Sequence, residues 1–302
     1  MKDFSPSLAP DTSGGIRPDG APEPVTIIEA SRGLLRIPWR EMVQYRDLLF
    51  LLVRRDFVAQ YKQTVLGPLW FILQPLITTF VFTVVFSKIA RIPTDDLPPL
   101  LFYLCGMLAW SYFAGCLGHT SGVLTGYAGI FGKVYFPRLI VPLSIVLSRL
   151  IAFGVQLVTF LAFLVYFKFF TAAGASIHPR WAMLLIPALL VQSAVIGLGV
   201  GLWMAALTAK YRDFSFLAGF LTQLWMYATP VVYPLSLVPD KWKWVALANP
   251  MTGIVEAYRY AFFGVGVLNP GYLGVSLAMG MLFLVTGLML FNRAERTFID
   301  TV

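Results

Sequence analysis

Gly126 to Val134 reads Gly-Tyr-Ala-Gly-Ile-Phe-Gly-Lys-Val, close in spelling to the glycine-rich loop that cradles nucleotide phosphates. It departs from that loop twice: the pattern requires Gly at Tyr127 and Ser or Thr at Val134, and no buried strand precedes it. The chain is therefore not expected to hydrolyse nucleotide itself. Other reactive groupings are as sparse. His119 and His178 fall on opposite sides of the membrane in the span count below, and no Cys/His/carboxylate cluster has metal-ligand spacing, so no metal site is expected. Cys105 and Cys116 lie about 16 Å apart if helical, too far for a disulfide. No paired carboxylates and no nucleophile elbow appear, which leaves hydrolase and glycosyltransferase readings without residues to carry them.

What the sequence does offer is aromatic density. Phe, Trp and Tyr make up 15% of the chain, and Tyr103, Trp110, Tyr112, Phe113, Trp225, Tyr227 and Tyr233 fall inside or at the ends of apolar stretches. Such rings either pack in lipid and interfacial belts or line a path in which a ring face stacks on a sugar and a Tyr or Trp tip reaches a hydroxyl. Tyr103 and Trp110 are seven apart and share a helix face, as do Trp225 and Tyr233 at eight. Two charged places also interrupt apolar sequence. Arg149 falls about 16 Å beyond Arg138, near mid-bilayer, where a charge faces a wet cavity or a partner. Glu256 and Arg259, three apart, can pair on one helix face.

These residues need a membrane to position them. Of 302 residues, 58% are hydrophobic and 13% charged, with mean hydropathy +0.75, which is the composition of an integral membrane protein. The formal charge of +8 is explained without nucleic acid, because nine of the 23 basic residues precede residue 63 and orient a polytopic chain. Val65 to Ser87 carries no charge, and twenty-odd residues at about 1.5 Å each reach the roughly 30 Å hydrocarbon core. Gly67-Pro68 suits a helix entry, and Trp70 an interfacial anchor.

The expected fold is an all-α integral membrane protein. Residues 1–35 form a disordered cytoplasmic tail, Pro-rich and poor in large apolar groups. An amphipathic interfacial helix covers 36–64, with Met42, Tyr45, Leu49, Leu52, Phe57 and Tyr61 opposite a polar stripe. Residues 65–292 hold six spans, at 65–87, 100–117, 139–167, 181–209, 214–233 and 271–291. Small residues Gly197, Gly199 and Gly201 invite close helix approach in the fourth. Between spans five and six, two short helices dip part-way in from outside. Residues 293–302 return to the cytoplasm, so both termini are cytoplasmic and basic residues divide fifteen inside to seven outside. With no cleavable signal peptide, the first span does the targeting.

Several stretches together carry a resemblance: Arg46-Asp47, then Tyr61-Lys62-Gln63-Thr64 with Leu66-Gly67-Pro68-Leu69-Trp70, then Gln74-Pro75. Further on come Tyr211-Arg212-Asp213, Thr229-Pro230-Val231-Val232-Tyr233-Pro234, and Asn249-Pro250-Met251 with Glu256, Arg259 and Gly264. From about Arg46 to the C-terminus the chain resembles the membrane subunits of ABC-type polysaccharide exporters, the group covering O-antigen, group 2 capsule and teichoic-acid export. The resemblance implies a homodimeric permease of the bacterial inner membrane bound to two copies of a separate ATP-binding subunit, which carries the ATP and Mg. It implies export of a lipid-linked polysaccharide, O-antigen ahead of capsule or teichoic acid, through a channel between protomers. On that reading the channel involves Trp70, Tyr103, Trp110, Tyr112, Phe113, Arg149, Trp225, Tyr227 and Tyr233. Coupling to the ATPase runs through Arg54, Arg55, Lys133, Arg138, Lys210, Arg212 and Asp213, and an outer gate is formed by Trp242, Trp244, Glu256 and Arg259. The Pro-rich tail and Arg149 depart from the family pattern. A channel or lipid scramblase working without ATP, and a structural membrane scaffold, are the alternatives from other classes.

Overall fold

A computed structural model describes residues 39–62, 64–131 and 136–299; the tail expected at 1–35, Lys133 and the last three residues lie outside them. Every regular element among the described residues is helical. Trp39–Gln44 (α1) and Arg46–Tyr61 (α2) take up the amphipathic stretch. A 3₁₀ turn over Gly67–Leu69, with Gly67 at φ 53 where a side chain would be strained, leads into Trp70–Phe82 (α3), which continues as a π-helix over Thr83–Ile89. Pro99–Ser121 (α4), Val123–Gly126 (α5), Ala128–Phe131 (α6) and Ile140–Phe170 (α7) follow. A 3₁₀ turn over Trp181–Leu185 opens Ile186–Lys210 (α8), and then come Phe214–Ala228 (α9), Asp240–Ala248 (α10), Pro250–Phe263 (α11) and Pro270–Ile299 (α12).

Among the described residues five helices are long and apolar enough to cross a membrane: Gly67–Ile89, Pro99–Ser121, Ile140–Phe170, Trp181–Lys210 and Pro270–Glu295. The helix expected over 214–233 is shorter than that, and the expectation of six helical spans is corrected here. α9 has 15 residues and stops at Ala228. Pro230 disfavours helical backbone at the residue before it, and Thr229 is extended at φ −93, ψ 143. The chain beyond it, Thr229 to Pro234, is non-helical.

α4 and α8 form the centre. α4 is buried along most of its length, whereas α3 buries only Thr79 and Phe82. α8 is gripped on two sides by its glycines. A Cβ on Gly197 would stand 2.9 Å from Cys116 Cβ, one on Gly201 2.7 Å from Thr120 Cβ, both on α4, and one on Gly199 2.5 Å from the Leu284 backbone nitrogen on α12. Gly287 of α12 returns the last contact against Gly199. The small residues thus let three backbones meet, where packing without a hydrophobic driving force depends on close approach. Gly199→Ala should lower the melting temperature of the purified protein, at an overpacking cost of about 1–3 kcal/mol. Gly154→Ala, in α7 with nothing within 4 Å, is the control. Equal melting of the two variants would remove this crossing from the account of stability.

α2 lies across the start of α7. Leu52 is buried with Val123, Leu124, Ile140 and Val141, and Met42, Tyr45 and Leu49 pack alongside. Phe50 and Leu51 of α2, with Val43 of α1, are exposed, as on helices whose outer side meets lipid.

Candidate functional site

A cavity of about 470 Å³ opens between α3, the end of α2, α4 and α7. Polar groups converge on it: Gln60, Gln74, Ser111, His119, Arg149 and Gln156, with Trp70 and Tyr112 among its aromatic lining. Ser111 Oγ donates to Gln156 Oε1 at 2.6 Å, and His119 Nδ1 lies 3.1 Å from the Gly115 carbonyl. Gly115 makes room for the arginine, since a Cβ there would stand 3.0 Å from Arg149 Cδ. Arg149 Nε is buried without a hydrogen-bond partner among the described residues.

Of the residues expected along a path, Trp70, Tyr112 and Arg149 meet in this cavity. Tyr103, Trp110 and Phe113 do not. They are 0%, 4% and 0% exposed and sit in the core of the protomer. Trp110 packs on Phe113 with centroids 5.0 Å apart, Phe113 on Trp225 at 5.0 Å edge-on, and Tyr103 edge-on to Phe82. Trp225 Nε1 donates to Asn249 Oδ1 at 2.9 Å, which also accepts from the Met251 amide to cap α11, while Asn249 Nδ2 donates to Thr229 Oγ1. Tyr227 is exposed, with its hydroxyl accepting from Gln223, and the half-buried Tyr233 donates to the Ala228 carbonyl. The glutamines were the missed residues. Their signal was present, since Gln74 and Gln156 are amides within otherwise apolar spans.

α11 is buried from Pro250 to Phe263 apart from Tyr260, and Gly264 at φ 75 closes it with a bond to the Tyr260 carbonyl. Glu256 and Arg259 pair at 3.0 Å with side chains 3% and 1% exposed. The guanidinium also donates to the carbonyls of Val231 (2.9 Å) and Tyr233 (3.4 Å), and lies 3.8 Å over the Phe102 ring. Glu256 Oε2 accepts from the Val267 amide. One buried pair therefore satisfies the non-helical backbone on both sides of α11, the condition under which such backbone persists at depth. Trp242 and Trp244, by contrast, are exposed on α10, where Lys243 pairs with Asp240 at 2.6 Å.

The residues expected to meet a motor divide into two kinds. Arg55 is engaged: it pairs with Asp56 at 2.7 Å and lies over the Tyr127 ring, and the Tyr127 hydroxyl donates to Asp56 at 3.1 Å. Burial, then the Asp56 charge, pushes the Tyr127 phenol up to about 12, so it stays a donor that ties α2 to the connection between α4 and α7. Arg138 is held by Glu295 of α12 at 3.5 Å. Arg54, Lys210, Arg212 and Asp213 are exposed, and among the described residues Arg212 and Asp213 form no ion pair.

Residues 47–263 match the family described as ABC-2 type transporter. The chain is 26% identical over 254 residues to the O-antigen export system permease protein RfbA of Klebsiella pneumoniae, covering 84% of this chain and 94% of that protein. It is 30% identical over 226 residues to the RfbA of Myxococcus xanthus, covering 74% and 83%. To the polysialic acid transport protein KpsM of Escherichia coli it is 23% identical over 267 residues, covering 84% and 95%.

Proposed function

The chain belongs to the ABC-2 type transporter family as a membrane transport subunit without an ATPase domain, and on that premise we propose that it is the permease of an ATP-driven exporter of lipid-linked polysaccharide in the bacterial inner membrane. The observation that carries this reading is the end-to-end similarity to export permeases, across 84% of this chain and 94% of the Klebsiella relative. O-antigen is favoured over capsule because the O-antigen permeases are 26–30% identical and the polysialic acid transporter 23%. The working unit is a homodimer bound to two ATP-binding subunits that carry ATP and Mg. Both termini are cytoplasmic, and α9 with the non-helical Thr229–Pro234 segment makes the fifth of six crossings. α10 and α11 enter from the outer side, with Trp242 and Trp244 at the exit. Trp70, Tyr112 and Arg149 face the glycan path, which Tyr227 and Tyr233 extend outward.

Deleting the gene should abolish one surface glycan and leave its lipid-linked precursor inside the cell, and the tagged chain should co-purify with an ATP-binding subunit. Retention of every surface glycan by the deletion strain would sink the export reading. Transport activity of the pure chain without any ATPase would instead favour the channel or scramblase.

A further inference from the structure

Arg149 is a guanidinium about 14 Å along α7 from its start at Ile140, with no ion pair among the described residues and an unsatisfied Nε. The chain has no carboxylate from Phe57 to Thr94 or from Leu97 to Arg212. Glu256, the one acid of the apolar core, is already held by Arg259. Asp56, whose charge reaches Arg149 from α2, is already bonded to Arg55 and to the Tyr127 hydroxyl, so among the described residues no carboxylate contacts Arg149. A charge with no contacting counter-ion is costly there, and an anion from outside the chain would compensate it.

The surroundings say what kind of anion fits. Gln60, Gln74 and His119 line the same cavity as Arg149, no acid stands among its lining residues, and Ser111 occupies the amide oxygen of Gln156, which leaves the amide NH₂ of that glutamine to donate. Planar guanidinium plus neutral donors is the chemistry that receives phosphate oxygens. Trp70, Phe71, Pro75 and Phe153 supply an apolar margin, and α3 beside it buries only Thr79 and Phe82, leaving an apolar helix surface along which a lipid tail can lie. We propose that this cavity binds the phosphate or diphosphate head group of a membrane-embedded lipid, with Arg149 as the anionic anchor. On the permease reading, on which this assignment rests, the lipid is the carrier of the exported glycan; an ordinary phospholipid is the other source of the same group.

The full-length protein in phosphatidylcholine nanodiscs is to be titrated with a polyprenyl diphosphate and with the corresponding alcohol, and then with phosphatidylglycerol as competitor. Wild type should bind the diphosphate at least about tenfold more tightly than the alcohol, Arg149→Gln should erase that difference, and Arg149→Lys should keep part of it. Strong competition by phosphatidylglycerol assigns the group to a phospholipid, weak competition to the isoprenoid carrier, and both uphold the phosphate site. Equal binding of diphosphate and alcohol by wild type overturns it, and that comparison needs no variant to fold. So does an Arg149→Gln protein that melts like wild type and binds the diphosphate to within about twofold. Normal export by Arg149→Gln cells, where cells lacking the chain export none, overturns the anchor and leaves the permease reading standing.

Discussion

Arg259→Leu should be the most damaging single substitution in the bundle, lowering the melting temperature by roughly 10 °C and depleting the protein from membranes. Removing one partner of a buried ion pair costs about 3–5 kcal/mol, and each kcal/mol moves the midpoint of a chain this size by about 2–4 °C. The loss has two parts. Glu256 is left as a buried, uncompensated carboxylate, and the carbonyls of Val231 and Tyr233 lose their donor. A double-mutant cycle separates them. If the ion pair were all that mattered, Glu256→Leu with Arg259→Leu would restore wild-type melting, since apolar replacements for a buried pair are often neutral. We expect the double variant to recover less than half of the loss, because two carbonyls and the Val267 amide stay unpaired. Arg259→Lys should also fail, a point charge being unable to bridge a carboxylate and two separate carbonyls. Full recovery in the double variant would reduce Arg259 to one half of an ion pair.

That same residue marks where the sequence was and was not readable. Apolar length located the spans at 65–87, 100–117, 139–167, 181–209 and 271–291, and each begins within about three residues of an observed helix start. Hydropathy sees apolar length, and for these spans apolar length is what decides. It fails at 214–233 for a physical reason. Val231, Val232 and Tyr233 are as apolar as a helix requires, yet Pro230 breaks the ladder, and the backbone freed by it is satisfied by an arginine 28 positions away from Val231. Nothing local in the sequence announces so distant a donor. The aromatic spacing misled in a related way. Tyr103 and Trp110 do share a helix face, but period alone does not distinguish a face turned to a path from one turned to Phe82 and Phe113. Arg149 and the Glu256–Arg259 pair were legible because a charge in apolar sequence demands compensation; the spacing of three already matched Glu256 to Arg259, and the structure added their burial and the bonds of Arg259 to distant carbonyls.

The exposed turn between α8 and α9 should behave in the opposite way to Arg259, with no loss of stability and nearly complete loss of function. Its backbone is fixed: the Phe214 and Ser215 amides donate to the Tyr211 and Arg212 carbonyls, the Ser215 hydroxyl adds a bond to Arg212, and two further amides of α9 reach the Asp213 carbonyl. Its charged tips are not used internally. Asp213 stands at the N-cap of α9 yet makes no side-chain capping bond, although an aspartate there commonly does. Arg212 is exposed beside it. A rigid turn that presents an unpaired plus and minus charge is what a separate motor subunit can grip, because its position follows α8 and α9 as bodies. Arg138 lacks that freedom through its contact with Glu295, so its removal should act through stability. Exchanging the charges, Arg212→Asp with Asp213→Arg, keeps net charge, exposure and the backbone turn while reversing the local dipole offered to a partner. The variant should melt with wild type, reach normal abundance, and either lose the co-purifying ATP-binding subunit or keep it while surface glycan falls to the level of the deletion strain. Complementarity across an interface acts on specificity, and like charges brought together there are strongly unfavourable. If the exchanged variant binds the ATPase and exports as wild type does, force enters elsewhere, and Arg54 on α2 becomes the next position to reverse.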